Sequence, residues 1–301
     1  MKRHHTHKSK SLTPRILAAL AAGAFTLGGM PYALADPTVM STVTTDTVSS
    51  EGVAGSTDGT AATITVGTDG GGASPEIYYL AGSYHRPTFV AGAWRSISAT
   101  DGTIQFTGTN AGGKATVNSG TIGGATGAYA WLEHGGTAKI SGAEVAIKNC
   151  TFKLDATTPE AQWGIIGGLA MSKEGSGGGA TRAVAEVEHS KVTIEGGTYD
   201  VPEGGEITVA GGAAYAQTKS VNSTAAVTDS IASVTGGSFT AQTKLYGGKV
   251  ITETDARSEA KALRNSLTFT TGDTVTEIYG GYVYARPTKT SISLQAKMCV
   301  V

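Results

Sequence analysis

Cysteine is almost missing from this sequence: Cys150 and Cys299 are the 2 among 301 residues. A small secreted domain that depends on disulfides carries many more, so strand pairing and packing must supply the stability here. A bridge between two cysteines so far apart requires their Cα atoms to meet, and it is not expected. Proline is also scarce, at 8, and the 43 glycines follow no three-residue period, which excludes collagen. Charge is sparse at 16 % with a formal net of −1, while 40 % of residues are hydrophobic, a balance that argues against disorder. No amphipathic helical period appears after residue 35, which argues against a compact α/β enzyme. What remains is a large all-β chain whose many short strands are punctuated by glycine.

Residues 1–35 have the layout of an export signal. Lys2, Arg3, Lys8, Lys10 and Arg15 come without any acid, and an apolar run of fourteen residues follows at 16–29. That run is shorter than the roughly 20 residues a bilayer-spanning helix needs. Ala33 and Ala35 then provide a small-x-small cleavage site, so cleavage is expected before Asp36. Removing the signal takes five cations with it and leaves 18 Lys and Arg against 24 acids. No dense basic face survives, so neither nucleic acid nor an anionic membrane surface is an expected partner.

Residues 36–60 are rich in Thr, Ser and Gly and read as a leader or linker. Residues 61–285 are repetitive. The clearest unit runs from Ala183 to Tyr199, with Ala183, Ala185 and Val187 on one face, then Val192 and Ile194, a Gly196-Gly197 turn, and Tyr199. The same roles fall to Ala225, Val227, Val234, Gly237 and Phe239, and again to Ala260, Ala262, Leu267, Phe269 and Gly272. Upstream they fall to Ala138, Ile140, Val145, Ile147 and Phe152, with Cys150 in the glycine position. A second motif, Gly-Gly followed by an aromatic or apolar residue and alanine, places its second glycine at Gly124, Gly168, Gly212, Gly248 and Gly281. Leu80-Ala81-Gly82-Ser83-Tyr84 reads as a decayed first copy. The spacing of 33 to 44 residues suggests two coils of about 17 to 22 residues per unit.

A single coil cannot bury its inner side chains or pair its backbone edges, so such coils must stack. Stacking would place Val, Ile and Ala inside and Glu186, Glu188, Arg257, Glu259 and Lys261 outside. Gly124, Gly168, Gly197, Gly212, Gly237, Gly248 and Gly281 are expected as structural turn glycines, because glycine tolerates positive φ and close backbone approach. The expected fold is all-β: an elongated, single-stranded parallel β-helix of irregular Gly-Gly-containing coils. A β-sandwich or a stacked antiparallel roll is the alternative.

The signal, the Thr/Ser/Gly leader and the repeats V-x-I-x-G-G-x-Y/F and Y-G-G-x-x-Y-A together resemble an autotransporter passenger of Gram-negative bacteria. The resemblance spans about residues 1–285 and rests on repeat style. It implies export through the Sec pathway, a place at the cell surface or in the medium, and adhesion or biofilm contact. Implied partners are host or bacterial surface glycans or proteins, with membrane attachment only through a C-terminal β-barrel. No terminal run of alternating, aromatic-ended barrel strands is present, and residues 286–301 read as an atypical tail of a truncated chain.

Signs of chemistry are few. Glu186, Glu188 and Glu195 cluster, and the first two would share an outward face, as in β-helix enzymes that cut acidic polysaccharides. A solvated strand face is the simpler account of them. His85, His134 and His189 form no metal-spaced pair, and no G-x-S-x-G or phosphate-binding loop occurs. No catalytic, cofactor or metal residue is therefore expected, and no cofactor. Tyr215, Tyr246, Tyr279, Tyr282 and Tyr284 are expected to ladder inside or at corners, with an external contact stripe as the alternative. The functional alternatives to an adhesin are a β-helix polysaccharide lyase or hydrolase and a purely structural stalk.

Overall fold

A computed structural model describes residues 36–49, 51–81, 84–107, 112–153, 164–174, 181–200, 206–219, 221–239, 243–254, 256–270, 275, 277–287 and 292–300. The expected signal and its cleavage residues Ala33 and Ala35 lie outside them, and Asp36 is the first residue described. Every described element is a strand.

The strands form a parallel β-helix. Its long sheet stacks Thr38–Val39, Val53–Ser56, Phe89–Ile97, Gly124–Leu132, Ile165–Lys173, Ile207–Gln217, Thr243–Thr254 and Glu277–Pro287, all in parallel. The second sheet faces it with two ladders. One holds Gly102–Phe106, Gly136–Ser141, Ala183–Glu188 and Ser223–Thr228. The other holds Thr42–Val43, Thr63–Val66, Lys114–Val117, Glu144–Ile147, Lys191–Ile194 and Ile231–Val234. Both ladders join the single strand Ser258–Phe269. A short third sheet of Thr121–Ile122, Thr151–Lys153, Thr198–Asp200 and Ser238–Phe239 leads each coil back to the long sheet.

Among the described residues, the sequence alignment of the first motif is the register of the structure; Gly272 lies outside them. Ala138, Ala185, Ala225 and Ala260 pair in turn, as do Ile140, Val187, Val227 and Ala262. Phe152, Tyr199 and Phe239 pair likewise, and their rings stack, with 4.3 Å between the centroids of Tyr199 and Phe239. Two expectations about the repeat need correction. The long sheet advances from Val53 to Val90, Ala125, Ile165, Val209, Leu245 and Ile278, so the 33 to 44 residues make one coil, not two. The two motifs are opposite walls of the same coil. In addition, Leu80 and its neighbours are not a first copy. They belong to an antiparallel pair, Ile77–Ala81 with Tyr84–Pro87, that joins Thr47–Val48 outside the two main sheets.

The ends differ from expectation as well. Residues 36–60 are not a linker, because their strands pair in parallel with the coils that follow. The stretch read as an atypical tail continues the fold. Glu277–Pro287 runs on past Ala285, and Ile292–Val300 pairs with Ser258–Phe269.

Gly197 and Gly237 take positive φ, at 104° and 94°. The other glycines expected at turns, Gly124, Gly168, Gly212, Gly248 and Gly281, lie inside strands of the long sheet. Four of them share one column, but Gly124 does not: Gly168 pairs with Ala128, and Gly124 pairs with Phe89. The reason for glycine here is close approach between walls. The preceding residue in each strand, at Gly55, Gly92, Gly127, Gly167, Gly211, Gly247 and Gly280, is glycine in seven successive coils. A Cβ on Gly211 would lie 2.5 Å from the Gly247 carbonyl oxygen and 2.6 Å from the Ile231 backbone. The long sheet therefore rests backbone to backbone on the corner between the two ladders.

That contact divides the interior. One compartment is filled by Val, Ile and aromatic side chains such as Val66, Ile147, Phe152, Val192 and Tyr199. The other is mostly alanine, with Ile140, Val187 and Val227 among its larger members. At the corner itself, Gly142, His189, Asp229 and Arg264 all adopt left-handed φ, between 51° and 72°. The small or amide residue after each is buried: Ala143, Ser190, Ser230 and Asn265. The Asn265 amide donates to the Val227 carbonyl at 2.9 Å, and its oxygen accepts from the Ser230 N–H at 2.9 Å. This supplies buried backbone groups with partners where the ladder bends.

Candidate functional site

The outward columns of the second sheet are regular. Thr42, Thr65, Thr116, Ala146, Thr193, Ser233 and Thr268 align across seven coils, and all but Thr42 lie between inward apolar residues. Beside them Lys114 bridges to Glu144 at 3.2 Å, and on the other ladder Lys139 bridges to Glu186 at 2.6 Å. Glu186 and Glu188 do share the outward face, flanking the buried Val187, yet Glu186 is engaged by a lysine one coil away. Glu195 lies beyond the strand Lys191–Ile194, and its N–H donates to the Ile147 carbonyl. Among the described residues, no group of three His, Cys, Asp or Glu is arranged to hold a metal ion. His134 and His189 stand on separate turns, and the side chain of His85 lies outside the described set.

The Cys150 thiol is free and buried, and burial pushes its pKa up to about 12. A thiol so protonated is a poor nucleophile. It occupies the register position of Gly197 and Gly237, as the sequence alignment placed it.

The tyrosines depart from expectation. Tyr246 sits between the inward Leu245 and Gly247, and Tyr215 between the inward Ala214 and Ala216, so these side chains project outward from the long sheet. Tyr279 pairs with Tyr246 and Tyr282 with Lys249, placing them on the same outer face. Tyr284 follows in register with Ile251. Three of the rings form a triangle. Tyr246 and Tyr279 are near parallel with centroids 5.6 Å apart, and Tyr282 meets them edge-on at 5.4 and 5.5 Å.

Charged groups surround this triangle, and the sequence reading did not single them out. Lys244 bridges to Glu206 at 2.8 Å and to Glu277 at 3.3 Å. Burial acts to lower the Lys244 pKa, but the hydrogen bonds and charges of the two glutamates outweigh it and hold the amine above its usual value. The Tyr246 hydroxyl reaches Glu277 Oε2 at 3.4 Å, and Glu206 Oε1 is shielded from solvent without a hydrogen-bond partner. Lys249 is only 2 % exposed, its Nζ 3.2 Å from the Thr208 hydroxyl and 4.8 Å from the Tyr246 ring centre. Burial pulls its pKa down to about 8, against the opposing pull of Glu206. Burial also raises the pKa of Tyr246 and Tyr282, reinforced by Glu277. The cluster is thus a fixed set of acceptors and donors around an aromatic platform.

Fold and surface together define the chain as a parallel β-helix protein with one repetitive polar wall and one aromatic wall. No protein-family model, curated protein or solved structure matches it.

Proposed function

We propose that this chain is a non-enzymatic, exported surface protein, similar to an autotransporter passenger, that makes adhesive or biofilm contacts along its β-helix. The observation that supports this most is the outward column of Thr and Ser, broken once by Ala146, that runs from Thr42 to Thr268 in register. Strands in a sheet lie about 4.8 Å apart, so Thr42, Thr65, Thr116, Ser233 and Thr268 offer similar shallow polar contacts in register, with breaks at Ala146 and at the shielded Thr193 hydroxyl. Weak contacts of this kind gain avidity when several engage at once. The reading also fits the Glu186 carboxylate, which is paired across coils by Lys139 and so occupied in holding the wall together.

The test is retention of immobilised full-length chain by host matrix, surface glycans and bacterial cells, compared with a scrambled-coil control. Retention above the control that falls when coils are deleted supports adhesion. Retention equal to the control removes it. Release of products from uronic-acid polymers, abolished by Glu186→Gln or Glu188→Gln, would replace it with an enzyme.

A further inference from the structure

We infer that the outer face of the last coils of the long sheet is a binding subsite for a neutral, hexopyranose-based glycan, with Tyr279 and Tyr282 as its platform and Glu277 as its main hydrogen-bond acceptor. This deepens the adhesive reading and rests on it.

Two features of the cluster point to this ligand. The Tyr246–Tyr279–Tyr282 triangle spans two adjacent strands, and Tyr279 and Tyr282 remain partly exposed while Tyr246 is buried beneath them. An aromatic face with a hydroxyl at its rim suits a partner that is apolar on one side and polar at its edge, which describes a pyranose ring. Next, the rim carries carboxylates in fixed positions. Glu277 is held by Lys244 and the Tyr246 hydroxyl, and a third of its side chain is open to solvent. A carboxylate accepts two hydroxyls from neighbouring ring carbons, and charge-assisted bonds of this kind are roughly twice as strong as neutral ones. Glu206 holds Lys244 from the other side, which keeps the Lys244–Glu277 pair in place.

The charge balance selects against acidic ligands. Two carboxylates, Glu206 and Glu277, share Lys244, which is already bridged to both. A uronate or a phosphate would bring negative charge against these two carboxylates, and the lysine described between them is already engaged by both. Nucleic acid and acidic polysaccharide are disfavoured on that ground.

The experiment titrates the full chain by calorimetry with a neutral glucose hexasaccharide and with a galacturonate hexasaccharide. Expected is saturable binding of the neutral ligand and affinity for the uronate lower by about tenfold or more, a difference of ~1.4 kcal/mol. Tyr279→Ala and Tyr282→Ala should each weaken neutral binding by about tenfold, within the range found for stacking on aromatic side chains. Tyr279→Phe and Tyr282→Phe should retain most of it, and their urea midpoints control for folding. Glu277→Gln should weaken neutral binding severalfold and narrow the gap to the uronate. Absence of neutral binding, preference for the uronate, or indifference to both alanine variants overturns the subsite. If the alanine variants still adhere to cells as the parent does, the subsite is wrong and the adhesive reading stands. If the chain binds the hexasaccharide but adheres to no surface, the subsite stands and that reading falls.

Discussion

The two walls of this β-helix share parallel pairing but solve burial differently. The second sheet alternates, with Val, Ile or Ala inward and mostly Thr, Lys or Glu outward, as in Lys191–Ile194; Ala146 and the exposed Ile231 are outward exceptions. The long sheet is buried through most of its strands on both faces; all nine residues of Gly124–Leu132 are buried. Sheets covered on both sides lose the period of two, because neither face needs polar residues. In its place the long sheet carries a glycine column, set by the other wall. Where the corner of the second sheet presses against it, no side chain fits between the backbones.

The most severe way to break this arrangement is to put a side chain into the column. Gly211→Val would drive Cβ and two methyls into the Gly247 carbonyl on one side and the Ile231 backbone on the other. Neither is a flexible side chain, so the walls must separate. The expected loss is at least about 3 kcal/mol, with failure to fold at ambient temperature as the extreme outcome. Gly281→Ala is the control on the same wall. Its added Cβ would sit 3.4 Å from the Ala262 methyl, an ordinary contact, so the urea midpoint should move little. Equal effects of the two substitutions would refute the close-approach account of the column.

A second contrast lies within one sheet. Ile147 is buried between coils in the larger core compartment, while Thr116, one position before an inward residue, faces out. Ile147→Ala should cost about 2–4 kcal/mol through lost burial and an unfilled cavity. Thr116→Ala should stay within about 0.5 kcal/mol, as surface substitutions do. Chemical denaturation of both variants measures the asymmetry that alternation predicts.

The same contrast explains which parts were legible in the sequence. Alternation exposed the second sheet, and the positions of Ala185, Ala225 and Ala260 aligned there are true neighbours. The long sheet offered only its glycines. Gly123-Gly124 imitates the later pairs, but the equivalent position in that coil is Gly127-Ala128, so the alignment slipped by four residues. The aromatic cluster was half legible. Its tyrosines were visible as a recurring residue type, but their outward direction depends on Leu245 and Ala214 facing in, which a strand buried on both faces does not advertise. Lys249 carried one usable signal: a lysine directly after Gly247-Gly248, where other coils place Leu169 and Ala213.

Lys249 offers a test of the long wall by pH. Burial lowers its folded pKa to about 8 from the ordinary 10.5, so between these values the unfolded chain binds more protons than the folded one. Stability should therefore rise with pH from about 8 towards 10, with a slope of at most about 1.4 kcal/mol per pH unit from this group. Above 10 the trend should reverse. The buried Tyr215 and Tyr246 have raised pKa values, and they stay protonated in the fold while unfolded tyrosines ionise. Urea midpoints across pH 7–11 would show the rise, and Lys249→Met should remove it while leaving the fall. A rise that survives in Lys249→Met would assign it to another group.

The smallest effect belongs to the outer wall. Lys139 and Glu186 form a 2.6 Å pair between adjacent coils, but their side chains are 39 % and 29 % exposed. Water and salt screen such a pair, so holding two long side chains in place offsets much of its attraction, and the net contribution is about 0.2–1 kcal/mol. A double-mutant cycle of Lys139→Met and Glu186→Gln should return a coupling in that range that shrinks between 0.05 and 0.5 M salt, as the Debye length falls below about 10 Å. A coupling several times larger and insensitive to salt would mean that the polar wall is held as rigidly as the glycine column. Adhesion along the hydroxyl column would then work through a stiff template instead of an adaptable surface.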